Sequence, residues 1–293
     1  MNYNKLIQNK NILITGGAGF VGSHLAKRLY DNGNKIYVID NFFTGKNSNC
    51  HKGIHYKKAE IKDIYKLYKN VRLDYIYHLG EYSRVEQSYQ DINLVIEYNS
   101  EPFYQVLKLS KHLKAKLIYS GSSTKFSKNL ELVESPYSFT KRVNTEFLKL
   151  YAKWFKINYA ITYFYNVYGE KEIAHGKYAT VIAKFLNLKN QGRSYLPITS
   201  PGTQKRRFTH IEDIINGLIL VGKKGIGDDY GIGSNKSYSI IELANLLNMK
   251  YKLTPVKKGN RMNAYLKTKK TIDLGWRETN NLKSYLKKNK IYP

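Results

Sequence analysis

Residues 11–40 read NILITGGAGFVGSHLAKRLYDNGNKIYVID, and this stretch decides the fold. It opens with a short apolar run, Asn11–Thr15, and breaks into glycines. From Phe20 apolar residues recur at helical spacing until Gly33 closes the helix. A second apolar run, Lys35–Asp40, follows at once and completes a strand–helix–strand unit. Gly16, Gly17, Gly19 and Gly22 lie where the first strand turns into the helix beginning Phe20, Val21. Glycines there permit a tight turn, let backbone N–H groups approach a pyrophosphate and bring helix close to sheet, while the helix N-terminus adds partial positive charge. Asp40 stands 21 residues after Gly19, at the end of the next strand. A carboxylate at that place accepts hydrogen bonds from the adenosine ribose hydroxyls and repels a 2′-phosphate, so NAD is expected in preference to NADP.

The alternation continues with apolar runs at 54–57, 75–78 and 116–120, a long helical stretch at 93–112, a second at 137–156 and a strand at 159–165. Short strands that are apolar on both faces and alternate with helices mean a parallel sheet covered by helices. The expected fold is α/β: a Rossmann-like doubly wound parallel sheet with a smaller C-terminal lobe that binds substrate. Residues 1–165 form the NAD-binding domain, with segments near 206–240 returning to it, and 166–293 form mainly the lobe. Pro197, Pro201 and Pro255 punctuate that second part, and the site is expected between the two.

The 293 residues carry 49 Lys+Arg against 22 Asp+Glu, a formal net charge of +27. With 42% hydrophobic and 14% aromatic residues the chain can still bury a core, which argues against disorder. A strongly basic protein attracts polyanions, and compositional drift towards Lys, Asn, Ile and Tyr gives the same charge without any function. No helix-turn-helix or RNA-binding signature is present, so nucleic acid is not the expected partner. Cys50 is the single cysteine, which excludes an intrachain disulfide and a cysteine-based zinc site; no metal is expected, and a reducing, cytoplasmic setting fits. MNYNKLIQNK lacks the apolar core of a secretory signal, and no run approaches the ~18 apolar residues of a membrane span.

Five segments in order, TGGAGFVG, DNFFTG (40–45), YSGSS (119–123), SPYSFTK (135–141) and RRFTHIEDI (206–214), resemble the extended short-chain dehydrogenase/reductases. Within them the chain resembles the NAD-dependent nucleotide-sugar epimerases and dehydratases, UDP-galactose 4-epimerase among them. The likeness runs from about residue 10 to Leu274-Gly275-Trp276. Tyr-x-x-x-Lys alone carries no information in a chain this rich in both residues: it starts at Tyr65, Tyr104, Tyr137 and Tyr265, and chance supplies roughly four such pairs. Tyr137 stands out because it opens a helix after Pro136 and follows a strand ending in serines. Lys141, four residues on, shares its helix face.

The resemblance implies that Tyr137 is the general base on a sugar hydroxyl, that Lys141 lowers its pKa and holds the nicotinamide ribose, and that Ser122 positions the hydroxyl and steadies the developing keto oxygen. It also implies Asn41, Leu79, Gly80 and Asn99 as cofactor residues, with Glu60-Ile61 at the adenine and a homodimer built through the two long helices. Relatives that dehydrate carry Asp-Glu after the serine, whereas this chain has Ser123 and Thr124. The decarboxylating relatives carry a Glu that is missing here, and the epimerases that use a Cys find only Cys50. The first reading is therefore epimerisation at C4 through a transient 4-keto sugar. The alternatives are a 4-dehydrogenase or reductase, a 2-epimerase, less readily a 4,6-dehydratase, and in another class a non-catalytic NAD or nucleic-acid-binding protein.

On the substrate side the resemblance places Asn166 and Arg206 at the diphosphate and Ser123 beside the sugar. The usual Arg-x-Gly-Asp reads Lys257-Lys258-Gly259-Asn260, with Arg261 as a substitute cation. Residues 79–86 (LGEYSRVE) depart from the small residues expected, which makes Arg84 and Glu86 candidate readers of an unusual sugar. The segment 124–135 is shorter than in relatives.

Overall fold

The computed structural model describes residues 3–126, 135–263 and 265–288. In chain order the elements are β1 (Asn11–Thr15), α1 (Phe20–Asp31), β2 (Lys35–Asp40), β3 (His55–Lys58), α2 (Ile64–Tyr68), β4 (Tyr75–His78), α3 (Ile92–Asn99), α4 (Glu101–Leu113), β5 (Lys116–Ser122), α5 (Pro136–Phe155) and β6 (Tyr159–Phe164). They continue with β7 (Val167–Tyr168), α6 (Val181–Asn190), β8 (Tyr195–Thr199), β9 (Lys205–Arg206), β10 (Thr209–His210), α7 (Ile211–Lys224), β11 (Gly227–Ile232), β12 (Tyr238–Ser239), α8 (Ile240–Leu246), β13 (Lys250–Thr254), α9 (Lys269–Asp273) and α10 (Leu282–Lys288).

Seven strands form the main sheet in the order β11-β6-β5-β4-β1-β2-β3, and each neighbouring pair is parallel. This is the Rossmann-like doubly wound arrangement: the chain leaves β1 towards β2 and β3, then returns across it to β4, β5 and β6. A cleft opens beyond the carboxyl ends of β1 and β4, where the winding reverses. The central strands are buried along their length, as their unbroken apolar runs require. One face of the sheet packs Leu25 and Leu29 of α1 and Ile214, Ile215 and Leu218 of α7. The other packs Ile64, Phe103, Leu107 and Leu148 from α2, α4 and α5. A separate core of Tyr168, Ile182, Phe185, Ile198, Phe208, Leu243 and Leu286 underlies the C-terminal part, while α7 and β11 return to the main sheet.

The sequence predicts one helix over 93–112; the chain forms two. Ser100 sits at the junction with φ −90° and ψ −67°, and Pro102 occupies the first turn of α4. Proline has no N–H and its ring crowds the preceding turn, so it starts a helix where it cannot continue one. α5 begins where the sequence indicates: Ser135 and Ser138 form a reciprocal capping box, with Ser138 N donating to Ser135 Oγ at 3.2 Å and Pro136 next to the cap. The shortened segment 124–135 lies largely outside the described residues.

The C-terminal end is fastened to α7 by one buried carboxylate. Asp213 accepts from Thr279 N (3.1 Å), Thr279 Oγ1 (2.6 Å), Asn280 N (2.9 Å) and Asn280 Nδ2 (3.1 Å), and its carbonyl accepts from Trp276 Nε1 at 2.8 Å. Asp213→Ala leaves these donors without their acceptor in a buried setting and is expected to cost about 3 kcal/mol. Thermal and urea unfolding of the variant measure it, and an unchanged midpoint contradicts the fastening role.

Candidate active site

A cleft of about 1010 Å³ runs along the carboxyl ends of the strands and into the C-terminal part. At one end it is lined by Gly16, Gly19, Phe20, Val21 and Gly22. Gly16 has φ +70°, and a Cβ on it would meet Gly80 Cα at 2.7 Å; a Cβ on Gly22 would collide with the Gly16 carbonyl oxygen. The three glycines let the ends of β1 and β4 and the start of α1 converge. No side chain caps α1, so its first-turn amides are available to an anion. This crowding, with an uncapped helix behind it, fits a pyrophosphate and leaves no space for larger residues.

Asp40 closes the same end. Its carboxylate accepts from Ala18 N (2.9 Å) and Phe42 N (2.7 Å). Burial pushes its carboxyl up, against the opposing effect of those amides and that of Gly19. With about four acceptor sites and three amides, the carboxylate keeps acceptor capacity for a ribose hydroxyl. Asn41 donates to Glu60 Oε2 at 3.2 Å, and Glu60, Ile61, Leu79 and Gly80 line this side of the cleft with Asn41. Asn99 does not line it. It is fully buried, donating to Thr140 Oγ1 (3.0 Å) and accepting from Tyr82 N (2.7 Å), so its amide braces the wall from behind.

Ser122, Ser123, Tyr137 and Lys141 meet the cleft in its middle. The end of β5 supplies the serines, and the first two turns of α5 supply the other pair. Thr124 Oγ1 donates to Ser122 Oγ at 2.9 Å, leaving the Ser122 proton free for another acceptor. Lys141 Nζ donates to Ser120 O at 2.6 Å and ion-pairs with Glu81. Glu81 also accepts from Asn144 Nδ2 (2.9 Å) and Tyr119 OH (3.1 Å), and His78 Nε2 lies 3.2 Å from it. Burial opposes ionisation of Glu81, but the Lys141 ammonium and the His78 ring outweigh it and hold the carboxyl well below its ordinary value. Thr15 Oγ1 accepts from the amides of Leu79 (3.1 Å) and Gly80 (2.9 Å), so its proton goes to His78 Nδ1 at 2.8 Å and the ring presents Nε2–H to Glu81. Sequence reasoning missed Glu81, although an acid directly after a strand and a glycine was the available signal.

The far end is cationic. Arg206 donates to Arg261 O (2.6 Å) and Asn260 Oδ1 (3.0 Å), and burial with the nearby Arg261 charge pushes it down to about 10. Asn260 thus orients Arg206. Burial also lowers Arg261, while the phenols of Tyr137 and Tyr165 oppose this. Arg84 donates to Tyr178 O at 3.0 Å and faces Tyr137, Tyr82 and Glu172. Asn166, at φ +33°, lines the cleft with them. Lys257 reaches the rim, but its Nζ is 2.6 Å from Glu86 on the exposed side. Both residues line the cleft, where the sequence places Lys257 at the diphosphate and Glu86 at the sugar, and an exposed pair of this kind is weak.

Gly22→Ala places a methyl against the Gly16 carbonyl oxygen and is expected to weaken NAD binding by about tenfold or more, equivalent to ~1.4 kcal/mol. Calorimetric titration with NAD checks this, and wild-type affinity would contradict the cradle.

Residues 12–233 match the model of the NAD dependent epimerase/dehydratase family. A putative UDP-glucose 4-epimerase of Methanocaldococcus jannaschii is 29% identical over 94% of this chain and 96% of its own. UDP-glucuronic acid decarboxylase 1 of Danio rerio is 28% identical over 81% of this chain, which spans 60% of that relative's length. Among solved structures, the UDP-glucose 4-epimerase of Thermotoga maritima with UDP-glucose aligns with a TM-score of 0.87 at 26% identity, covering 94% of this chain and 96% of that one. The UDP-glucuronic acid 4-epimerase of Bacillus cereus, in complex with UDP-glucuronic acid and NAD, aligns with a TM-score of 0.84 at 26% identity, covering 94% and 96%. With that model matched over residues 12–233, three quarters of its length, the chain belongs to the NAD-dependent epimerase/dehydratase family.

Proposed function

We propose that the protein inverts C4 of a nucleotide-diphosphate sugar through a transient 4-keto sugar. The observation that carries this reading is the end of β5, where Ser122, Ser123 and Thr124 offer hydroxyls only. Expelling water from C5 and C6 takes a carboxylic acid and a carboxylate there, and hydroxyls cannot do that work near neutral pH. Inversion needs one base, one hydroxyl-positioning group and room for the sugar to turn. The relatives named as 4-epimerases support the reading; the decarboxylases that also match make it narrower than membership of the family.

Gly16, Gly19 and Gly22 would hold the NAD pyrophosphate, Asp40 its adenosine ribose and Lys141 its nicotinamide ribose. When bound, NAD supplies hydride acceptance and return at the sugar carbon. Tyr137 takes the C4 hydroxyl proton on its phenolic oxygen and gives it back when the carbonyl is reduced, so no proton is lost over the cycle. Ser122 holds the same oxygen through its free proton. Arg206 and Arg261 bind the diphosphate, whose charge offsets the crowding of two guanidiniums. Arg84 borders the sugar beside Tyr137.

A homodimer is part of this reading. Phe139, Val143, Leu150 and Trp154 make an exposed apolar stripe along α5, with Ile92 and Ile96 of α3 and Tyr104 of α4 also exposed. A patch of that kind on three neighbouring helices suits a helical contact with a second copy. Val143→Glu is expected to give monomers by sedimentation, and a monomeric wild-type protein would overturn the dimer.

Incubation with NAD and a panel of UDP-, GDP-, CDP- and dTDP-sugars, with products resolved by NMR, tests the reaction. Epimer without accumulated NADH is expected; stoichiometric NADH or a deoxy-keto product overturns it. Tyr137→Phe should lower turnover by about 10²–10⁴ while NAD still binds, and near-normal turnover would remove Tyr137 as the base.

A further inference from the structure

Lys141 is 4% exposed and Glu81 1% exposed, and they are paired at the floor of the cleft. A lysine this deep is driven towards the neutral amine unless an anion faces it. Lys116, also on the sheet and buried beside Lys223, shows the tendency: burial and the Lys223 charge push it down to about 8. Around the pair, β4 contributes His78, β5 contributes Tyr119 with its ring 5.0 Å from Lys141 Nζ, and α5 contributes Asn144 and Tyr137. The further charges facing Tyr137 are the cations Arg84 and Arg261. Glu81 is thus the carboxylate that faces Lys141 directly.

We propose that Glu81 is a positioning residue whose buried carboxylate keeps Lys141 protonated and holds its ammonium against the end of β5. Three donors besides Lys141 converge on that carboxylate, so it cannot swing away, and Lys141 is confined between it and Ser120 O. Removing an anion lowers the pKa of the cation it faces. Gln at position 81 keeps one of the two accepting oxygens and loses the charge, so Lys141 releases its proton at lower pH. Above that pH the Tyr137 phenol no longer has a cation on its own helix face. The consequence for turnover rests on the reading of Tyr137 and Lys141 as the catalytic pair, whereas the ion pair itself does not.

The test uses the full chain labelled with ¹³Cε-lysine, without substrate, and with the Lys141 resonance assigned through Lys141→Arg. In Glu81→Gln, and in Glu81→Ala should the first variant not fold, the Lys141 midpoint is expected to fall by about two pH units or more. Glu81→Asp keeps the anion and should hold the midpoint nearer to wild type. On the sugar substrate, the alkaline limb of kcat in Glu81→Gln should move down with the Lys141 midpoint, with KM little changed, and Glu81→Asp should restore it. An unchanged Lys141 midpoint in the charge-removing variants overturns the proposal. A shifted midpoint in a protein inactive on every sugar tested supports the linkage of Glu81 to Lys141 and removes the catalytic reading alone.

Discussion

One hydroxyl locks the junction where the β1–β4 ladder, which joins the two halves of the winding, comes to its end. Thr15 ends β1, and its oxygen accepts the amides of Leu79 and Gly80, which follow β4, while its proton goes to His78, the last residue of β4. The two strand ends are thereby drawn so close that Gly16 and Gly80 have no space for side chains. The glycine turn of Gly16, Gly19 and Gly22 lies on one side of this junction and Glu81 on the other. From Glu81 the same line of hydrogen bonds reaches Lys141, Tyr119 and Asn144, so it joins β1, β4, β5 and α5. A fully satisfied buried polar network of this kind tolerates little displacement of any member, and the lining of the cleft inherits that rigidity.

The net charge of +27 reads differently against the structure. Much of it is dispersed over exposed lysines, where ion pairs such as Lys27–Asp31 and Lys269–Asp273 contribute little. The cations that matter are few and buried. Lys141 has its own carboxylate, while Arg206 is lowered by burial and by the Arg261 charge, and Arg261 by burial. A site of that design is incomplete until an anion enters. Long-range attraction from the remaining surface charge would guide a diphosphate towards it without conferring selectivity.

Much of the site was legible because its residues sit in local sequence contexts with a physical meaning. Glycines after a strand, an acid at the next strand end, and a tyrosine at a capped helix start can each be read in a window of a few residues. Four Tyr-x-x-x-Lys pairs occur, and only the one behind Ser135-Pro136 lines the cleft with its lysine. What stayed hidden depended on residues far apart in the chain. Glu81 looked like a departure in a loop, because Lys141 and Asn144 lie about sixty positions away. Asn99 looked like a cofactor ligand, but Tyr82 and Thr140 occupy its amide.

The sequence by itself determined the doubly wound parallel sheet, the dinucleotide end of the cleft and the Ser–Tyr–Lys set. Periodicity, glycine placement and capping act over one or two turns of chain and carry their meaning wherever the segment sits. Only the tertiary structure decided which charges are paired, which polar groups are spent within the protein, and which face the cleft. Those outcomes depend on burial and on distances of a few ångströms between strands and helices that are remote in sequence, and no local pattern encodes them.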